Sequence, residues 1–237
     1  MNQNGPTVAG WRKHLVGWFE RLSGKPSGPA KGWSGAASRA RAQVQNNRRW
    51  IVLDCETTGL DPAKDALLAI GAVAMVDGAI RLGDRFERTL QPPTLSSVNN
   101  VLVHGLGHGT QALAEAPETV LQAWQVWVAD APCIAFHAAF DRTVLERVTH
   151  QWLGRPCRSA WLDLAELGPA VDPRPGAKAL DDWLARYGIS VSPRHHASAD
   201  ALASAMLLQR WLAVLPPGER NFKSLQHRAR NRRYLQG

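Results

Sequence analysis

Three short stretches carry side chains whose types and spacing could do chemistry together. The first is Ile51-Val52-Leu53-Asp54-Cys55-Glu56-Thr57-Thr58-Gly59-Leu60, whose first half reads as a strand. A strand's two-residue period puts Asp54 and Glu56 on one side and Leu53 and Cys55 on the other. Two adjacent carboxylates repel unless protonated, solvated or neutralised, and an all-oxygen pair suits Mg²⁺ or Mn²⁺. A solvated strand end turning into a glycine loop would show the same spacing. The second stretch, from Ala135 to Arg142, ends an apolar strand and begins a helix, so Asp141 sits near a helix N-terminus. Capping or the helix dipole also favours an acid there. The third runs from His195 to Leu202. If the last long helix starts near Ser198, Asp200 lies in its first turn and His195 hangs from the preceding loop. Taken singly, His195 and His196 read as an exposed loop pair.

The elements around these stretches follow from hydrophobic periodicity. Strands are expected at Trp50–Cys55, Leu67–Val76 and Ala79–Leu90, the last two joined at Asp77-Gly78, a hairpin signal. A helix follows from Pro117 to Asp130, with Pro117 in its first turn and Val120, Leu121, Trp124, Trp127 and Val128 on its buried side. Then come a strand at Cys133–Phe136, a helix near Arg142–Leu153, a strand near Ala160–Leu164 and helices near Lys178–Tyr187 and Asp200–Leu212. Three strands followed by strand-helix alternation point to an α/β fold, a mixed sheet flanked by helices. Pro216-Pro217-Gly218 is expected to stop the last helix and release a basic tail.

The 237 residues suit one α/β domain with extensions, and 45% hydrophobic with 20% charged residues is ordinary globular usage. No stretch approaches the ~20 apolar residues of a membrane span, and the start lacks a secretion signal. Cys55, Cys133 and Cys157 form no CxxC pair, which fits a reducing, cytoplasmic setting. Charge is segregated: residues 1–50 hold nine Lys/Arg against one acid, residues 51–215 thirteen against eighteen, and residues 216–237 six against one. Basic ends around an acidic middle suit a polyanionic partner, although solvated tails would look the same. Within the first 49 residues, Trp11–Leu22 reads as an amphipathic helix that needs a surface, and Ser23–Ser38 as a Gly/Pro/Ser-rich linker. That helix could lie on the main domain, a partner protein or a membrane face. The expected division is thus 1–49, a catalytic domain at 50–215 and a tail at 216–237.

Together, the three stretches resemble the 3′-to-5′ exonucleases of the DEDD class, in the His-containing subgroup that includes the epsilon proofreading subunit of bacterial DNA polymerase III and its stand-alone relatives. Asp54 to Gly59 match the pattern aspartate, any residue, glutamate, Thr-Thr-Gly. Phe140 and Asp141 match the Phe-Asp element, and His195 to Ala201 match His-x-Ala-x-x-Asp-Ala. Val103-His104-Gly105-Leu106 is similar to a further family segment, as are Leu180 and Tyr187-Gly188-Ile189. Order and spacing agree over Trp50 to Leu212. The chain departs from the pattern at Phe136-His137 and at Gly107-His108, positions that touch substrate in the family.

The resemblance implies a ribonuclease-H-like, five-stranded mixed sheet and two divalent cations, Mg²⁺ or Mn²⁺. Asp54, Glu56 and Asp200 would hold one ion, Asp54 would bridge to the other, and Asp141 would contribute directly or through water. His195 would be the general base, with its neighbour His196 a bystander, because only His195 stands five residues before Asp200. Thr57, Leu60, His104 and Phe140 would form the pocket for the 3′ end. The implied partner is single-stranded or 3′-ended nucleic acid, DNA ahead of RNA, with a polymerase or other protein reached through the N-terminal helix. An RNA-trimming enzyme and a non-catalytic nucleic-acid-binding scaffold on the same fold are the alternatives. Retention of Asp54, Glu56, Asp141, His195 and Asp200 argues against the scaffold.

Overall fold

The computed structural model describes residues 49–235 apart from 94–100, 102–104, 156 and 193–195. The chain divides into units Met1–Ala36 and Ala37–Gly237. The helix expected at Trp11–Leu22 and the linker at Ser23–Ser38 lie outside the described residues.

Five strands form one sheet: β1 (Arg49–Thr57), β2 (Leu67–Val76), β3 (Ala79–Thr89), β4 (Cys133–Ala135) and β5 (Trp161–Asp163). Their order is β3-β2-β1-β4-β5, with β1 antiparallel to β2, β2 antiparallel to β3, and β1, β4 and β5 mutually parallel. The mixed five-stranded sheet expected from the sequence is therefore present. The hairpin sits at Asp77-Gly78, where both residues take positive φ (54° and 76°), as a two-residue turn matched to strand twist requires. Helices α1 (His108–Ala112), α2 (Pro117–Val128), α3 (Ala138–Leu153), α4 (Leu164–Val171), α5 (Leu180–Arg186), α6 (Ala197–Val214) and α7 (Phe222–Leu235) complete the described residues.

The alternation along β1 splits the core in two. Trp50 and Val52 face a cluster built with α4, α5, α6 and α7, while Ile51, Leu53 and Cys55 face one built with α2 and α3. Covering both faces explains why β1 and β2 read as near-continuous apolar runs.

Helix α1 was not expected, and three further elements differ from expectation. Helix α3 begins at Ala138, four residues earlier than Arg142, because Ala138-Ala139-Phe140 continues a helix once the chain has turned. The turn is made by His137 in the left-handed region (φ 61°, ψ 47°), whose backbone N–H donates to Asp163 Oδ1 at 3.0 Å. Helix α4 was not expected; Asp163 caps it by accepting from the Ala165 N–H at 2.9 Å, and Glu166 stands three residues after the cap, a pattern visible in the sequence. The third difference is at the C-terminal end, where no released tail follows Pro216. Phe222, Leu225 and Ala229 recur at helical spacing and are buried, so the segment folds back as α7 onto α4 and β5. Gln226 Nε2 donates to the Trp161 carbonyl at 2.9 Å, satisfying an acceptor on the edge strand β5. Ending the chain at Leu215 should therefore cost about 3–5 kcal/mol in urea unfolding, because the burial of Phe222 and Leu225 is lost and the surface of α4 and β5 beneath them is uncovered. Unchanged stability would show that α7 contributes nothing to the core.

Candidate active site

The parallel strands β1 and β4 end on the same side of the sheet, and the acidic residues gather around that end. Asp54 and Glu56 are half-buried on β1, with the buried Cys55 between them pointing to the opposite face. Asp141 lies in the first turn of α3 and is only 4% exposed. Its carboxylate does not cap the helix; it accepts from the Cys55 thiol and from the backbone N–H groups of Cys55 and Asp141. Burial, the largest influence, still pushes Asp141 up to about 7 despite these hydrogen bonds, and the negative charge of Asp163 pushes the same way. Burial and then the charges of Asp141 and Asp54 hold the Cys55 thiol protonated well above its ordinary range.

Asp200, 7% exposed, lies in the first turn of α6, as the motif spacing implies. Its backbone N–H donates to the His196 carbonyl at 3.0 Å. The placement of this helix depends on Gly71 of β2, which pairs directly with Asp54 across the strands. A Cβ on Gly71 would stand 2.2 Å from the carbonyl carbon of Ala197 and 2.2 Å from the Ser198 nitrogen. The start of α6 thus lies against bare backbone, on the same sheet face as the Asp54 side chain. Glu56, Leu106, His196 and Ser198 also line one small cleft with Glu87 of β3, which brings Glu56 to the same helix start.

His196 is the residue immediately before α6, and its Nε2 stands 3.8 Å from Glu87 Oε1. His195 and His104 lie outside the described residues. Thr57 Oγ1 donates to the Gly59 carbonyl at 2.6 Å, Leu60 is 92% exposed, and Phe140 packs at the margin of the α2/α3 cluster. Of the positions that depart from the motif, Phe136 meets the His137 ring edge-on at 4.9 Å.

The donor chemistry fits a hard divalent cation. Asp54, Glu56, Asp141 and Asp200 offer only oxygen, and the buried Asp141 is an acid whose ionised form a nearby cation would favour. Among the described residues, no three Asp, Glu, His or Cys side chains stand close enough together to hold one ion. The structure brings Asp141 to Cys55 beside Asp54 and Glu56, and brings the α6 start to the same sheet end, without a closed three-ligand arrangement.

Besides Gly71, two structural residues escaped the sequence reasoning. Asp163 accepts from both His137 and Ala165, and so holds the starts of α3 and α4 together. Arg147 of α3 donates from Nε to the Pro62 carbonyl at 3.0 Å and from Nη2 to the Asp65 carbonyl. It straps the loop after β1 to the helix that carries Asp141. Within that loop, Asp65 accepts from the Asp61 N–H at 2.7 Å, and the Thr58 hydroxyl accepts from the Ala66 N–H at 2.9 Å. Asp163 could have been found from its cap pattern, whereas nothing local marks Arg147. Arg147→Ala should free this loop and make hydrogen exchange at the Thr58 and Ala66 amides about tenfold faster. Exchange followed by NMR would check this, and unchanged rates would refute it.

The model of the exonuclease family matches residues 51–208, which spans all of these acids. The chain belongs to that family. It is a nuclease of the hydrolase class, of the DEDD 3′-to-5′ type that its motifs resemble. The PolC-type DNA polymerase III of Staphylococcus saprophyticus is 31% identical over 170 residues, which make up 70% of this chain and 11% of that protein. The same polymerase type from Staphylococcus haemolyticus is 27% identical over 186 residues, 77% of this chain and 13% of that one. The chain therefore spans little more than a tenth of the length of these relatives. In fold it is similar to exonuclease I of E. coli in complex with a dA16 oligonucleotide, with TM-score 0.61 and 18% identity over 76% of this chain and 45% of that one. The fold is thus the ribonuclease-H-like one expected. Among the described residues no helix is long and apolar enough to cross a membrane.

Proposed function

We propose that this exonuclease removes 5′-mononucleotides from the 3′ ends of DNA, in proofreading or repair, with two Mg²⁺ or Mn²⁺ ions. The observation that carries this reading is the buried Asp141 of α3 resting on Cys55, the residue between Asp54 and Glu56 on β1, at the sheet end where α6 starts with Asp200 in its first turn. The names of the relatives, a DNA polymerase III and a nuclease seen with a DNA oligonucleotide, support DNA over RNA.

Asp54, Glu56 and Asp200 would hold one cation, and Asp54 with Asp141 the other. Bound there, the pair supplies positive charge to the oxygens that gain negative charge during in-line displacement at phosphorus. His195 would accept the proton of the attacking water, work suited to an imidazole with an ordinary pKa of roughly 6.5. Thr57 and His104 would orient the terminal 3′-OH, while Leu60 and Phe140 would pack against the last base. A pocket closed around a free 3′-OH restricts cutting to ends. The N-terminal helix would be the contact for a polymerase or other protein, in the cytoplasm.

His195→Ala should lower kcat at least a hundredfold and leave Mn²⁺ affinity unchanged in calorimetry, whereas His196→Ala should change kcat less than threefold. Equal losses in the two variants would assign the base wrongly. The function itself is tested by giving the protein labelled single-stranded DNA, recessed DNA ends and RNA with each metal. Mononucleotide release fastest on DNA supports the reading, and binding without release overturns it.

A further inference from the structure

Helix α7 displays two stripes at helical spacing. Phe222, Leu225 and Ala229 are buried against the fold, and Lys223, His227 and Arg230 are exposed on another side at i, i+4 and i+7. Arg228, between the stripes, is engaged inward; it pairs with Glu219 and donates from Nη1 to the Ala170 carbonyl at 3.1 Å. Glu219 is the only acid among residues 216–237, and that pair neutralises it. Beside the stripe runs a groove of about 760 Å³, with Pro169 and Pro173 on one wall and Lys223, Ser224, His227 and Asn231 on the other.

We propose that this face of α7 binds the sugar-phosphate backbone of the strand being degraded, at a distance from the acidic site. This rests on the reading of the chain as a DNA exonuclease and adds to it where the strand is gripped. Residues 51–215 carry eighteen acids against thirteen Lys/Arg, so that part of the chain has no net attraction for a polyanion. The positive charge of α7 is set in place by packing. Lysine, histidine and arginine, with the hydroxyl of Ser224 and the amide of Asn231, match phosphate oxygens. No Phe, Tyr or Trp is among the residues lining the groove, which suits contact to phosphate independent of base sequence. Phe222 meets Trp50 at 6.2 Å, near the start of β1, whereas Asp54 and Glu56 stand four to six residues further along, about 13–20 Å away. A long strand can reach both places, and a very short one cannot.

The test uses the full chain and its Lys223→Gln/Arg230→Gln double variant. Binding of a labelled 30-nucleotide single strand is measured in EDTA, where no cleavage occurs, across a series of salt concentrations. Loss of two phosphate contacts should make the plot of log affinity against log salt shallower by about 1.4, which at 0.1 M salt is about 25-fold weaker binding. With Mg²⁺ present, turnover of a trinucleotide should be the same in both proteins. Unchanged slope and affinity in the double variant would overturn the proposal, as would an equal loss on the trinucleotide. Poly-glutamate competing as well as the oligonucleotide would also overturn it, reassigning the face to an acidic polypeptide. Wild-type protein that binds in EDTA but never cleaves would sink the exonuclease reading and leave the α7 result standing.

Discussion

Replacing Asp54 by asparagine is expected to lower exonuclease turnover on the order of 10⁴-fold while the protein stays folded. Asp54 stands at the centre of the acidic group: beside Cys55, which receives Asp141, and opposite Gly71, which receives the start of α6. It is the residue proposed to touch both cations, so losing its charge weakens both at once. If the ions supply about 5–6 kcal/mol of stabilisation to the developing charges, the rate falls by roughly that factor. Half-buried and near other acids, Asp54 should be replaced with little harm to stability, since removing one charge relieves repulsion. The check is single-turnover cleavage of a labelled strand together with thermal melting and Mn²⁺ titration. An active Asp54→Asn protein would remove the basis for placing the chemistry at β1.

Placing alanine at Gly71 should do comparable damage by another route. The added methyl carbon would meet the backbone of Ala197 and Ser198 at 2.2 Å, far inside van der Waals contact, and backbone cannot swing aside as a side-chain tip can. Helix α6 packs on both β1 and β2, so it must tilt or shift as a unit. The expected cost is about 3 kcal/mol, or roughly 6–12 °C of melting temperature for a domain of this size. Because the displaced turn carries Asp200, kcat should also fall at least a hundredfold. The pairing of the two losses distinguishes this residue from an ordinary core position. A Gly71→Ala protein that melts with the wild type would mean that α6 does not rest on β2 as described.

The acids proposed to hold the cations were legible because their pattern is local. The alternation in Leu53-Asp54-Cys55-Glu56 puts the two acids on one face whatever surrounds them, and the spacing from His195 to Asp200 marks a loop entering a helix. The strands were legible because both faces of β1 and β2 are covered and their apolar runs are unbroken. What escaped depends on contacts across the fold. The two-turn buried stripe of α7 is diluted by six Lys/Arg in its neighbourhood, so it read as a solvated tail until α4 was there to receive it. Helix α3 was begun too late, because the left-handed His137 that starts it is held by Asp163, 26 residues away. Arg147 lies more than 80 residues beyond the loop it holds. Gly71 was read as one more residue of an apolar strand, since only the arriving helix shows why no side chain fits.

The meeting of Trp50 with Phe222 joins the opening strand of the described sheet to its closing helix. A ribosome must therefore deliver nearly the whole described chain before the cluster around Trp50 and Val52 can be sealed. Until Ala229 emerges, the faces of α4 and β5 that later lie under α7 stay open to solvent and to neighbouring polypeptides. Such long-range closure slows the last stage of folding relative to the local β1–β3 meander. The newly made protein would then acquire its nuclease framework early and its basic grip late.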